Sequence, residues 1–115
     1  MAGLLALAVA GRALRPPGPE ARAAAFERDF AAGMSALNDG DHARAAHLFG
    51  HAVEILPDAP RSADAYNDLG WSLAKLGRYD EAIAAYEAAI RKNPGVEVYR
   101  NNLALAKRER EATRR

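Results

Sequence analysis

The sequence contains few side chains suited to catalysis or metal binding, and the best of them lie in one short stretch. His47 and His51 are four residues apart, with Glu54 three residues further on. On a helix this spacing places the three side chains on one face, where imidazole and carboxylate groups can bind zinc or another divalent metal. The H-E-x-x-H order of zinc hydrolases is absent, and no fourth ligand is evident. We therefore predict that these side chains are solvated and bind no metal.

No other group of residues indicates an active site. The chain has no cysteine, which excludes disulfides and thiolate metal sites alike. We find no nucleophile, no general base and no glycine-rich loop that would bind a phosphate group. We therefore expect that the protein is not an enzyme and that it uses no cofactor.

The composition is that of an ordinary globular protein and gives no reason to expect nucleic acid as a partner. The 115 residues suffice for one compact domain, half of them are apolar, and the net charge is only +1. The stretch from Lys107 to Arg115 carries five basic residues against two acidic ones. Cations in the last turn of a helix stabilise it by complementing its dipole, and we interpret them in this way.

Residues 1–19 form an apolar leader followed by a proline-rich break, and they suggest a signal, anchor or transit segment. The run from Met1 to Ala10 consists of apolar residues and glycine. No basic residue precedes it, whereas Arg12 and Arg15 follow it, which is the wrong order for export. We therefore favour a cytoplasmic location. Export or membrane association through residues 1–15 is the alternative.

The remaining sequence alternates helix-forming stretches with short breaks. Gly40 and Gly77 can adopt the left-handed conformation that ends a helix, and Asp41 and Asp80 can cap the helices that follow. No stretch has the alternating pattern of a strand, so the sequence predicts an all-α fold. The predicted helices cover residues 20–39, 42–55, 62–76, 80–92 and 97–112.

The chain resembles itself at a spacing of 37 residues. A repeat of this length indicates that one supersecondary unit occurs more than once. The matched pairs are Gly33 and Gly70, Gly40 and Gly77, Ala45 and Ala82, Phe49 and Tyr86, Ala52 and Ala89, and Pro57 and Pro94.

The second copy, residues 63–96, closely resembles the 34-residue tetratricopeptide repeat. The resemblance implies an all-α solenoid of helix-turn-helix repeats, and it depends on ten residues at the spacings of the family pattern. These are Tyr66, Leu69, Gly70, Leu73, Gly77, Tyr79, Ala82, Tyr86, Ala89 and Pro94.

The resemblance divides the chain into two repeats and a cap. The first repeat is weaker, because Asp29 stands where the family prefers a large apolar residue and Ala36 where it often has Tyr or Leu. A partial third copy ends after one helix and is interpreted as a C-terminal cap. The predicted tetratricopeptide repeat domain covers residues 20–112, with repeat 1 at 26–59, repeat 2 at 63–96, the capping helix at 97–112 and a basic tail end at 113–115.

Glycine and aromatic residues explain why such a sequence would form stacked helix pairs. Gly33 and Gly70 allow the two helices of one repeat to approach closely, because a side chain there would push them apart. Phe49 and Tyr86 are then predicted to fill the space between repeats. A single repeat cannot bury its own apolar face, so each needs a neighbour or a cap.

In such a solenoid the first helix of each repeat lines a concave groove that receives an extended peptide or a helix. Amide and exposed apolar side chains suit this purpose. The competing interpretation is that neighbouring helices or the leader cover these residues. The predicted peptide-binding groove consists of Phe30, Met34, Leu37, Asn67, Trp71, Lys75, Asn101 and Leu105.

Some members of the family bind chaperone C-terminal carboxylates with a clamp of basic and amide side chains. The corresponding positions here carry Phe30, Met34, Asp68, Val98 and Asn102. The cations are missing and Asp68 would repel a carboxylate, so we do not expect a chaperone tail as the partner.

Two functional hypotheses follow. The first is a protein–protein interaction module that binds a peptide or helix of a partner protein in the concave groove. The second is a structural or assembly component that self-associates or is anchored to a membrane through its N-terminal segment.

Overall fold

The computed structural model describes residues 15–115, which form five α-helices and no strand. The all-α prediction is confirmed, and each predicted helix end lies within one residue of the observed one. The predictions for the leader fall largely outside the described residues. Across residues 15–115, every helix is too short or too polar to cross a membrane. The helices are α1 (Pro19–Asn38), α2 (His42–Ile55), α3 (Ser62–Lys75), α4 (Tyr79–Lys92) and α5 (Glu97–Thr113).

Left-handed glycines end the first helix of each repeat. Gly40 has φ of 74° and Gly77 has φ of 77°, which other residues rarely adopt. The amide of Asp41 donates to the carbonyl of Ala36 at 2.9 Å, so the chain turns back tightly. The carboxylate of Asp41 accepts from the amide of Arg44 at 3.0 Å and caps α2 as predicted. These contacts make α1 and α2 a closely joined pair.

The predicted capping role of Asp80 is wrong. Helix α4 begins one residue earlier, at Tyr79, and Arg78 holds the N-cap position, where its side chain makes no capping hydrogen bond. Asp80 instead lies in the first turn, where a carboxylate is favoured by the helix dipole. Its Oδ1 is 2.9 Å from the guanidinium of Arg110 and 3.5 Å from that of Arg114. The carboxylate therefore connects α4 to α5.

Each helix packs on the next one along the chain, and α3 also contacts α5. The helices alternate in direction because the connections are short. Three apolar clusters form a continuous core from α1 to α5. Their largest members are Phe26, Phe30, Phe49, Tyr86 and Tyr99.

The close approach within each repeat is a contact between a glycine and an aromatic ring. A Cβ atom at Gly33 would be 2.7 Å from the ring of Phe49, and one at Gly70 would be 2.7 Å from the ring of Tyr86. Both rings thus lie within their own helix pair, and they also reach the next repeat. The cluster of Phe49 includes Ala65 of α3.

Helix α5 ends the array with a polar surface. Arg100 and Lys107 occupy the positions where the second repeat has Tyr66 and Leu73, 34 residues earlier. Both side chains are exposed, whereas Leu73 is buried beneath its neighbours. A further helix would find charged groups here and not an apolar surface.

Candidate functional site

Three large apolar side chains are exposed at equivalent positions of α1, α3 and α5. Met34 is 39% exposed, Trp71 36% and Leu105 37%. The equivalence follows from the repeat, since Met34 and Trp71 are 37 residues apart and Trp71 and Leu105 are 34 apart. Exposed apolar residues in regular array are typical of a binding surface. The other exposed large apolar residues of the described part are Leu76 and Val98.

Trp71 and Leu105 form the sides of a shallow cleft between α3 and α5. Its volume is about 20 Å³, enough for a group the size of one water molecule. The cleft is shaped by the α3–α5 contact, so it exists only when the cap is in place. The lining residues are Trp71, Ala74, Lys75, Tyr86, Asn102, Leu105, Ala106 and Glu109.

Three larger clefts share none of the predicted groove residues, and the smallest of them, of about 330 Å³, is lined by residues of α1, α2 and the turn between them. One of about 620 Å³ is bounded by the α2–α3 loop and the end of α4, where Lys92 Nζ pairs with Asp58 at 2.5 Å. The third, of about 460 Å³, lies between α2 and α3 and is lined by Leu69, Leu73 and Leu76 among others.

Of the two asparagines predicted to line the groove, Asn67 is hydrogen-bonded within the protein and Asn101 is exposed. The side chain of Asn102 donates to Asn67 Oδ1 at 3.0 Å, so these two amides connect α5 to α3. Asn101, next to it, is exposed. Asn102 was considered only as a position of the absent carboxylate clamp. Its role in orienting Asn67 depends on the distance between the two helices, which the sequence does not contain.

Lys75 lies against Trp71. Its ammonium nitrogen is 4.5 Å from the centre of the indole ring, which places a cation over the electron-rich face. The two residues are four apart on α3, the spacing at which helix side chains meet. The predicted groove residues Trp71 and Lys75 therefore form one unit.

Phe30 was predicted to line the groove, but it belongs to the core. Only 5% of its surface is exposed. Its ring packs against Phe26 and Phe49, at 6.0 and 5.7 Å between ring centres, and the Arg61 guanidinium covers it at 4.1 Å. Leu37 is half-buried against the same core. Phe30 is covered from outside because the loop before α3 places Arg61 over its ring.

A half-buried carboxylate, Asp68, lies on α3 among other acidic groups. Burial and the nearby charge of Asp64 raise the pKa of Asp68 to about 6, although Asn67 and Arg61 lower it in part. Asp64 accepts a hydrogen bond from the hydroxyl of Tyr99. Within residues 15–115 neither carboxylate has a cationic nitrogen within 4 Å.

The two buried tyrosines of this region both have a raised hydroxyl pKa. Burial, followed by the charges of Glu109 and Asp68, raises the pKa of the Tyr86 hydroxyl. Burial and the hydrogen bond to Asp64 raise the pKa of the Tyr99 hydroxyl. Both hydroxyls therefore stay neutral, chiefly because burial disfavours the charged form.

In the part of the chain that the structure describes, no three His, Asp or Glu side chains gather around a common point. We had predicted that the His51 side chain is only solvated, but it also contacts a carboxylate. Its Nδ1 lies 2.5 Å from Oδ2 of Asp29, which is only 8% exposed. This contact connects α2 to α1 and explains how a carboxylate is tolerated in the core.

Stacked antiparallel helix pairs, closed by glycine–aromatic contacts and carrying an exposed apolar row, define a helical-repeat protein. A family model described as tetratricopeptide repeat matches residues 30–97. The chain belongs to the tetratricopeptide repeat family. Repeats of this family indicate a protein–protein interaction module, and its members are typically non-enzymatic adaptors.

One similar protein is the small glutamine-rich tetratricopeptide repeat-containing protein 2 of Mycosarcoma maydis. It is 27% identical to this chain over 110 residues, covering 69% of this chain. The chain spans 31% of the length of that protein. The similarity thus concerns a repeat region and not a whole architecture.

Proposed function

We propose that this protein binds an extended peptide or a helix of a partner protein on the face formed by the first helix of each repeat. We name this surface the first-helix face: Met34 and Leu37 of α1, Asn67, Trp71 and Lys75 of α3, and Asn101 and Leu105 of α5. We propose no catalytic role and no cofactor for it.

The observation that carries this proposal is the exposure of Met34, Trp71 and Leu105 at equivalent positions. More than a third of each of these apolar residues is exposed to water. Flexible Met and broad Trp side chains supply contact area that adapts to a partner backbone. The neighbouring amide of Asn101 can hydrogen-bond that backbone.

The assembly alternative has less support. Stacking of copies needs an apolar end surface, and the α5 end presents Arg100 and Lys107. Anchoring through residues 1–15 concerns a segment that lies almost wholly outside the described residues. Both membrane association and the compartment stay predictions from the sequence.

The proposal is tested by replacing Trp71 with Ala. Tryptophan at the centre of an interface typically contributes about 2 kcal/mol or more to binding, so Trp71→Ala should weaken partner affinity by about thirtyfold. Partners would be captured from an extract of the source organism, identified, purified and titrated calorimetrically. Trp71 is the only tryptophan, so its fluorescence should also shift on binding.

Leu76→Ala is the matched control, because Leu76 is equally exposed at 39% but lines the cleft between α2 and α3. It should bind the partner as the wild type does. Loss of binding in Leu76→Ala but not in Trp71→Ala would move the site to the other cleft. Circular dichroism must show that both variants are folded, and unfolding of Trp71→Ala would mean that Trp71 is a core residue.

A further inference from the structure

One carboxylate, Glu109, lines the cleft between α3 and α5, and two more lie on α3. Asp64 and Asp68 are one turn apart on α3, and Glu109 lines the cleft from α5. The raised pKa of Tyr86 shows that the charges of Asp68 and Glu109 both reach its hydroxyl. Among residues 15–115, no cationic nitrogen comes within 4 Å of any of these three carboxylates.

A buried tyrosine contributes a polar group to the same cleft. Tyr86 is only 1% exposed, and its ring lies against Gly70. It nevertheless lines the cleft, and no side-chain hydrogen bond within the described residues ends on its hydroxyl. Because this hydroxyl reaches the cleft, it can hydrogen-bond a polar group of a ligand.

The apolar sides of the cleft suit the stem of a long cationic side chain. Trp71 already holds the ammonium group of Lys75 at 4.5 Å from its ring centre, so the indole face is accessible to a cation. Leu105 lies on the other side. Lysine and arginine have aliphatic stems that pack on apolar surface while the charged end reaches polar groups. The cleft admits only a group the size of one water molecule, so such a side chain would lie across it and not inside it.

We propose that the partner segment lays a lysine or arginine side chain across this cleft, with its stem against Trp71 and Leu105 and its charge between Asp68 and Glu109. The bound segment is therefore basic and apolar. This inference rests on the proposed function of the first-helix face and specifies the chemistry of its partner. Charge complementarity of this kind selects partners and speeds their association.

Lys75 provides the sharpest discrimination, because it is the cation of the cleft itself. A basic ligand would compete with it for the indole face. Lys75→Met should therefore tighten the binding of a basic segment, whereas the same change would weaken the binding of an acidic one. The direction of this effect separates the two partner chemistries.

The probe is a phage-displayed library of short random peptides, selected on the full chain and depleted on Trp71→Ala. Enriched peptides should carry Lys or Arg beside an apolar residue. The enriched peptide and a copy with its basic residues changed to Gln are then synthesised and titrated. Asp68→Asn and Glu109→Gln should each weaken binding of the basic peptide by about tenfold, and added salt should weaken it further.

Glu87→Gln is the matched control, since Glu87 is exposed on α4 and does not line the cleft. It should bind as the wild type does, and circular dichroism confirms the fold of every variant. Two acidic positions are used so that a folding defect in one leaves the other decisive. Enriched peptides that need Trp71 but contain no basic residue, or that tolerate both acidic changes, would overturn this inference and leave the proposed function standing. If no peptide depends on Trp71, both are overturned.

Discussion

Asp68 shows how one buried side chain makes the stability of the protein depend on pH. Its pKa rises from 3.8 in the unfolded chain to about 6 in the folded one, because burial and Asp64 disfavour the charge. The folded state then binds the proton more tightly than the unfolded state. The contribution of Asp68 to stability is therefore greatest below about pH 4, falls as the pH rises towards about 6, and stays lower above that.

Asp68→Asn should remove this cost. At neutral pH the variant should be more stable than the wild type by about 1–2 kcal/mol, a value reduced to allow for the partial exposure of the carboxyl group. In acid, below the unfolded pKa, the two proteins should be equally stable. Urea unfolding of both proteins at the two pH values measures the difference, in which all other titrating groups cancel. An equal difference in stability at both pH values would show that ionisation of Asp68 does not destabilise the folded protein.

Asp29 is the second carboxylate that departs from the family pattern, and its buried charge is compensated in a different way. The sequence shows it at a position where a large apolar residue is preferred, which signals that something must compensate. The compensating group is His51, 22 residues later and on another helix. Nothing in the local sequence connects the two residues, because only the packing of α1 on α2 brings them together.

At the scale of the helices, local chemistry accounts for most of what the structure shows. The ends of α1 and α3 are set by Gly40 and Gly77, whose positive φ is unfavourable for other residues. The start of α4 was misjudged by one residue because Asp80 has two roles open to it. Cap and first turn both favour a carboxylate, and the position of Arg110 on α5 decides between them.

The pairing of helices within a repeat gives a direct test. Gly70→Ala should destabilise the protein by about 1–3 kcal/mol, because its Cβ would be 2.7 Å from the ring of Tyr86. Gly50→Ala is the matched control, since Gly50 is also inside a helix but its nearest neighbour, Leu69, is 4.0 Å away. That change should stabilise the protein by up to about 1 kcal/mol. Thermal unfolding measures both, and equal effects at the two glycines would contradict the close contact.

At the scale of the whole molecule, α5 both completes the core and forms one side of the proposed site. Tyr99 is buried with Ala63 and Ala89, and Ala106 belongs to the cluster of Tyr86. Without α5 these apolar surfaces would face water, and the cleft beside Trp71 would lose its second side. We therefore expect the two repeats to need α5 for stability and for the proposed binding.

Removal of residues 97–115 should abolish cooperative unfolding or lower its midpoint strongly. Loss of the buried contacts of Tyr99 alone is expected to cost about 3–5 kcal/mol, which is a large share of the stability of a small domain. Removal of Arg114 and Arg115 only is the control, because both are exposed, and it should have a minor effect. Calorimetry of the full chain and the two shortened chains measures the three unfolding midpoints. A shortened chain with the wild-type midpoint would show that the two repeats are stable by themselves.

The sequence alone was sufficient to predict five helices, their ends and the repeat. These depend on backbone chemistry and periodicity, which act between residues close together in the chain. Its tetratricopeptide character followed from ten spaced residues, and the family match confirms it. The sequence did not predict which individual groove residues are exposed. Phe30 and Met34 lie one turn apart on α1, yet one is core and the other is surface.

Tertiary structure decided the electrostatics and the shape of the proposed site. Phe30 is covered because the loop before α3 carries Arg61 across it. Asp68 is strained because α3 packs beside α4 and α5, which remove water and supply no nearby cation. Burial and charge both depend on which helices become neighbours, and that arrangement is a property of the packed molecule as a whole.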